Sequence, residues 1–289
     1  MNLTFDLTGK LAVVTGGGGV LCSGFSKTLA AAGAKVAVCD LRPDAAEKVA
    51  SEIRENGGCA AAFTMNVLEK GSVEAARQAI YETFGVSRID ILLNGAGGNN
   101  PKGSTSRDVL TPEEAAELNA NGTIEGVKTF FDLDPEGISF VFNLNFLGTL
   151  IPTQVFARDM CEGGGTIVNV SSMNAFRPLT RIPAYSGAKA AVSNFTQWLA
   201  VHFAPVGIRV NAIAPGFFLT DQNRTLLTNP DGSLTPRSDK ILSHTPMGRF
   251  GTPADLDGVL LWLTDEKFSA FVDGVVVPVD GGFAAYSGV

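Results

Sequence analysis

The chain has 289 residues, 45% of them hydrophobic and 18% charged, a balance that excludes a disordered protein and suits one α/β core. Its formal net charge of -7 argues against a nucleic-acid partner, so an anionic substrate must be met by local cations. No basic-plus-apolar leader opens the chain and no apolar run reaches bilayer length, so the expectation is a cytoplasmic protein with no membrane partner.

In chain order, the apolar run Leu11 to Val14 predicts a strand, followed by Thr15 and four glycines and then a helix over Leu21 to Ala32. Gly33 ends that helix, and Lys35 to Cys39 reads as a second strand. A helix over Ala45 to Asn56, a strand over Cys59 to Met65, a helix over Val73 to Phe84 and a strand over Ile89 to Leu93 continue the alternation. Next come a long helix over Gly137 to Asp159, a strand over Thr166 to Val170, and a helix over Ala184 to Ala204. The chain closes with a strand over Ile208 to Ile213, a helix over Pro253 to Leu263 and an edge strand over Val275 to Val279. Near-continuous apolar strands alternating with helices predict a parallel sheet covered on both faces, a doubly wound Rossmann-like domain.

Two polar stretches break the rhythm, about 98–136 and about 217–250. Both follow the carboxyl ends of strands, where open α/β sheets bind ligands, so they read as an active-site insertion and a substrate loop within one domain over 1–289. The cysteines Cys22, Cys39, Cys59 and Cys161 contain no C-x-x-C pair and lie far from His202 and His244. Isolated buried thiols, with neither a metal site nor a disulfide framework, are expected.

The turn Thr15-Gly16-Gly17-Gly18-Gly19 either cradles a pyrophosphate at a helix N-terminus or is simply tight. Asp40, ending the next strand about 20 residues on, favours the first reading, because a carboxylate there accepts from ribose hydroxyls. It also repels a 2′-phosphate, favouring NAD (NADH) over NADP, although neighbouring Arg42 keeps NADP open. Further on, Tyr185 and Lys189 stand four apart on one helix face, where an ammonium lowers a phenol toward working pH. Ser172, thirteen residues before Tyr185, is placed to bond the same substrate oxygen.

These residues, with Asn94-Gly95-Ala96-Gly97, Asn145-Phe146-Leu147-Gly148 and Pro215-Gly216-x-x-x-Thr220, occur in an order that resembles the short-chain dehydrogenase/reductase family over essentially the whole chain. The resemblance implies a catalytic tetrad of Asn145, Ser172, Tyr185 and Lys189, with Lys189 also on the nicotinamide ribose and Asn145 holding a relay water. It implies cofactor contacts from Gly16, Gly18, Gly19, Val20 and Leu21 at the glycine turn. Asn66 and Val67 would meet the adenine, Asn94, Ala96 and Gly97 the adenosine side, and Pro215, Gly216, Phe218 and Thr220 the remaining length. The family pattern has glycine where Val20 and Cys22 stand, and Gly18 and Gly19 are expected to supply the lost freedom; Cys22 reads as a small packing residue. The long separation of Asn94 from Asn145, with Gly97 to Gly103, Phe130 to Leu133 and Ser172 to Phe176, is similar to the D-mannonate oxidoreductase (fructuronate reductase) branch. That similarity implies NADH-linked interconversion of D-fructuronate and D-mannonate, in a homotetramer. Asn100, Lys102, Asn174, Arg181 and Arg224 are candidate substrate contacts, Arg177 is a further cation over the site, and His244 is a contact or a cap. A dehydrogenase of gluconate or 2-keto-3-deoxygluconate, and a non-catalytic nucleotide-binding protein, stay open as alternatives.

Overall fold

The computed structural model describes residues 4–220 and 227–288. Alternation along each strand sends successive apolar side chains to opposite faces of the sheet. In β1 (Leu11–Thr15), Val13 and Val14 are both fully buried yet belong to different cores, one on each face. The pattern repeats in β2 (Lys35–Asp40) and, after β3 (Cys59–Thr64), in β4 (Ile91–Asn94), where Leu92 and Leu93 divide in the same way. With β5 (Gly165–Val170), β6 (Ile208–Pro215) and β7 (Val276–Val279) they form one all-parallel sheet, ordered β3-β2-β1-β4-β5-β6-β7. The expected doubly wound architecture is therefore present, with β7 at the edge.

Helices α1 (Val20–Ala31) and α2 (Pro43–Glu55) cover one face through Phe25, Leu29, Val49 and Ile53. On the other lies α3 (Lys70–Phe84), with Val73 and Ile80 buried. The polar insertion is not structureless: it holds α4 (Pro112–Asn121), started by a capping box in which Thr111 and Glu114 satisfy each other's backbone N–H. The expected long helix is α5 (Pro135–Phe142), a π turn over Asn143–Leu147 and α6 (Gly148–Met160), run together. By length and composition this 26-residue stretch could cross a membrane, contrary to the expectation that no segment could. Asn143 and Asn145 interrupt its apolar run in the sequence, while Val155, Phe156 and Met160 place its second half in the core.

Helix α7 (Pro183–Phe203) shares that face, α8 (Pro236–Ser243) forms inside the second polar stretch, and α9 (Asp257–Thr264) returns to the first face after a 3-10 turn over Pro253–Leu256. Of the cysteines, Cys22 and Cys39 are buried as expected, whereas Cys59 and Cys161 are exposed, and all four are free thiols.

Candidate active site

The sheet order reverses between β1 and β4, and adjacent connections diverging there leave a crevice at the carboxyl ends of the strands. A groove of about 520 Å³ occupies it. Its floor depends on glycine. Gly16 has φ +64°, and a Cβ on it would lie 2.8 Å from the Ala96 backbone. Gly19 caps α1 without a side-chain bond, so the N–H groups of the first turn, at Val20 and Leu21, are not claimed by a capping side chain. Where the family pattern has a second glycine, Cys22 is buried, its Sγ packed so closely over Gly95 that a Cβ there would come within 2.2 Å. Burial pushes this thiol up to about 12, which leaves it a packing group rather than a reactive one.

Asp40 sets one end of the groove. Only 8% exposed, it accepts from Gly18 N at 3.0 Å through Oδ2 and from Arg42 N at 2.9 Å through Oδ1. The carboxylate is thus fixed in place before any ligand arrives, with the Arg42 Nε 3.6 Å away and largely in solvent.

The other end is chemical. Tyr185 and Lys189 lie one turn apart near the start of α7, with Lys189 Nζ 5.7 Å from the Tyr185 ring centre. Ser172, just beyond β5, lies beside the Tyr185 hydroxyl and acts to lower its pKa. Asn145 is fully buried in the π turn, where its Nδ2 donates to Val141 O at 2.8 Å and to Gly98 O at 2.7 Å. Gly97 sits between Asn145 and the lysine: a Cβ there would be 2.6 Å from Asn145 Oδ1 and 3.2 Å from Lys189 Nζ. The four expected catalytic residues therefore converge.

Their electrostatics differ from expectation. Burial raises the Tyr185 phenol above its ordinary value, and only Ser172 acts against that. Lys189 is not among the groups that shift it; its Nζ donates to Val170 O at 2.7 Å and stands 5.7 Å from the ring centre. The same burial brings Lys189 down to about 8.

Several expected cofactor residues stand behind the groove rather than in it. Asn94 is buried, with Nδ2 donating to Thr153 and Asn169 at 2.9 Å each and Oδ1 without a partner among the described residues, so its side chain ties β4 to β5 and α6. Asn66 turns to Glu69 and Leu68, Val67 packs against Gly148, and Ala96 backs Gly16. Gly16, Gly19, Val20, Leu21, Asp40, Gly97, Gly216, Phe218 and Thr220 do line it.

The expected substrate residues fare less well. Asn100 Oδ1 accepts from Lys102 N in a local turn, Lys102 pairs with Asp134 at 3.2 Å, and Arg181 pairs with Asp108 at 2.6 Å while lining a second pocket. Asn174 is buried beside Ser172 with its Oδ1 unpartnered, and Arg224 lies outside the described residues. His244 both caps and lines: Nδ1 meets Lys240 O at 2.8 Å, and the ring faces a second pocket of about 480 Å³. Arg237 and Lys240, three apart on α8, also face it and were not singled out from the sequence.

A groove at the switch point that ends on a Ser–Tyr–Lys cluster defines an oxidoreductase acting on CH–OH groups. The chain belongs to the short chain dehydrogenase family, which matches residues 10–231. It is 57% identical to an uncharacterized oxidoreductase of Haemophilus influenzae, over 98% of this chain and 96% of that one. It is 51% identical to the uncharacterized oxidoreductase UxuB of Bacillus subtilis, over 98% of each. A solved Haemophilus structure with bound NAD, described as a "putative D-Mannonate oxidoreductase", superposes with a TM-score of 0.91 at 56% identity, covering 98% of both chains.

Proposed function

We propose that this chain is an NAD(H)-dependent reductase of a six-carbon keto sugar acid, interconverting D-fructuronate and D-mannonate. The observation that carries the redox half is the Ser172–Tyr185–Lys189 cluster at one end of a groove whose other end is the fixed carboxylate of Asp40. Bound along that groove, the dinucleotide supplies or accepts the hydride. The chain's own residues do the rest. Glycines at 16 and 19 would let the backbone close on the pyrophosphate, and Asp40, held by Gly18 N and Arg42 N, would have lone pairs left to accept from the ribose hydroxyls. Tyr185 protonates the carbonyl oxygen as the alcohol forms, Ser172 donates to the same oxygen, and Lys189 holds the ribose and biases the phenol toward its anion when it swings from Val170. Asn145, its amide held by Val141 and Gly98, positions a relay water. The finer cofactor contacts from Asn66, Val67, Asn94, Ala96, Pro215 and Phe218 belong to this reading, as do a single domain over 1–289 with insertions near 98–136 and 217–250.

The keto-acid half rests on likeness to the two oxidoreductases above and on cations over the site in an acidic protein. A second reading, oxidation of gluconate or a deoxy-ketogluconate, is favoured by the 31% identity to 2-dehydro-3-deoxy-D-gluconate 5-dehydrogenase of Bacillus subtilis over 96% of both chains. NADH consumption with D-fructuronate, D-tagaturonate and 5-ketogluconate, against an NADPH control, separates them. Turnover confined to fructuronate with NADH is the expected result. Turnover only on 5-ketogluconate would replace the first reading with the second.

The enzyme is further proposed to work in the cytoplasm, where the exposed Cys59 and Cys161 stay reduced, and to be a homotetramer. On α7, Val201 is 80% and Trp198 57% exposed, an apolar face suited to a subunit contact. Light scattering at micromolar concentration checks this; a monomer would contradict it.

A further inference from the structure

We infer that the second pocket is the subsite for the substrate's carboxylate, with Arg237 and Arg177 as the residues that select a keto acid over a neutral ketose. The inference rests on the keto-acid reading above and assigns that reading its cations.

The pocket is placed for it. Phe217 lines both this pocket and the nucleotide groove, and the segment from Ser172 to Tyr185 passes along both, so a substrate with its carbonyl at Tyr185 extends toward the 177–181 loop. Among the described residues its walls gather four cations, Arg177, Arg181, Arg237 and Lys240, against one carboxylate, Asp108, in a chain whose net charge is -7.

Those cations are not equivalent. Asp108, from the insertion, receives Arg181 Nε at 2.6 Å, Lys240 Nζ, and the Thr180 hydroxyl at 3.2 Å. This clasp ties the insertion, the loop before α7 and α8 together. It also holds Arg181 at φ +70°, a backbone conformation no other non-glycine among the described residues adopts. Three charges are thereby spent on one another, and the pair draws the Asp108 carboxyl well below the usual carboxylate range. What remains is the guanidinium of Arg237, which has no ion pair among the described residues, and that of Arg177, which among the described residues makes one bond, from Nε to Ala284 O at 3.2 Å. Both face a floor of Phe217, Ile241 and Phe283. Planar guanidinium forks beside an apolar floor suit a carboxylate, because their paired N–H donors match its two oxygens.

The test compares D-fructuronate with D-fructose, which carries a CH₂OH in place of the carboxylate, in the wild type, Arg237→Met, Arg177→Met and Arg237→Lys. NADH titration is run on each protein to show an intact nucleotide groove. Each methionine variant is expected to lose about 10- to 100-fold in kcat/KM for fructuronate, mostly through KM. Its rate on fructose should stay within about threefold, and Arg237→Lys should recover part of the loss. Methionine variants that keep the wild-type preference for the keto acid would overturn the pocket assignment alone. A wild type that shows no such preference would overturn the keto-acid reading first, and the subsite with it.

Discussion

Around Asp40 the groove is shaped by buried strand ends and by glycines that leave no room for a Cβ, whereas the second pocket, around Arg181, is shaped by exposed ions on two loops and a short helix. The first region gains its precision from the sheet, so moving any part of it disturbs the core. The second is held by one carboxylate between segments 73 and 132 residues apart in sequence. One fold can thus keep its cofactor geometry constant while its substrate side is redrawn by surface charge. The comparison predicts that changes near the chemistry act on turnover, and that changes in the insertion do not.

The largest effect belongs to Tyr185→Phe. Removing the hydroxyl beside Ser172 removes the proton donor, so turnover should fall by at least about 100-fold. NADH titration by fluorescence should be almost unchanged, since Asp40 and the glycine floor are untouched. Substantial remaining turnover would show that another group moves the proton. Next comes Gly97→Ala, whose new methyl would sit 2.6 Å from Asn145 Oδ1 and 3.2 Å from Lys189 Nζ. One or the other must move, and a displacement near 1 Å in the constellation costs about 10- to 100-fold in kcat. A variant with wild-type kcat would show that the relay does not need that spacing.

Lys189→Met separates function from stability. Burial holds the lysine near 8, below the ordinary 10.5. The unfolded chain therefore binds more protons between those values, and this group's contribution to stability rises as pH climbs from about 8 to 10.5. At pH 7 the charged lysine opposes folding by an amount on the order of 3 kcal/mol. Lys189→Met should raise Tm at pH 7 by about 2–6 °C while turnover collapses and NADH binding weakens. Its advantage over the wild type should shrink at pH 10. A fall in Tm at pH 7 would show that the 2.7 Å bond to Val170 O outweighs the cost of burial.

The same contrast explains what could be read from the sequence. Strands such as Leu11–Thr15 are buried on both faces and read as unbroken apolar runs. Asp40 ends a strand and Tyr185 stands one helical turn from Lys189, so spacing alone brings both into view. By contrast, α4 has no buried residue, so it carries no apolar period, and only Thr111-Pro112-Glu113-Glu114 announces it. Thr235-Pro236 gives a similar start signal for α8, unread because the surrounding stretch is polar. The Asp108 clasp has no local signature, since its partners meet only through the fold. The resting state of Lys189 was hidden for a related reason. The i, i+4 spacing puts it beside Tyr185, but a backbone carbonyl of β5 decides where its ammonium points.

The smallest effect tests the other side of the comparison. Thr111→Ala removes the Oγ1 that accepts from Glu114 N at 3.2 Å and leaves the return bond from Thr111 N to Glu114 Oε2 without its counterpart. A cap of this kind contributes about 1 kcal/mol to its helix. Because no residue of α4 is fully buried, that loss should stay local. Hydrogen exchange in 112–121 should quicken about fivefold, while Tm moves by less than about 2 °C and kcat and NADH affinity hold. A several-degree fall in Tm would instead place the insertion inside the cooperative unit of the sheet. The substrate side could then no longer be redrawn independently of the nucleotide side.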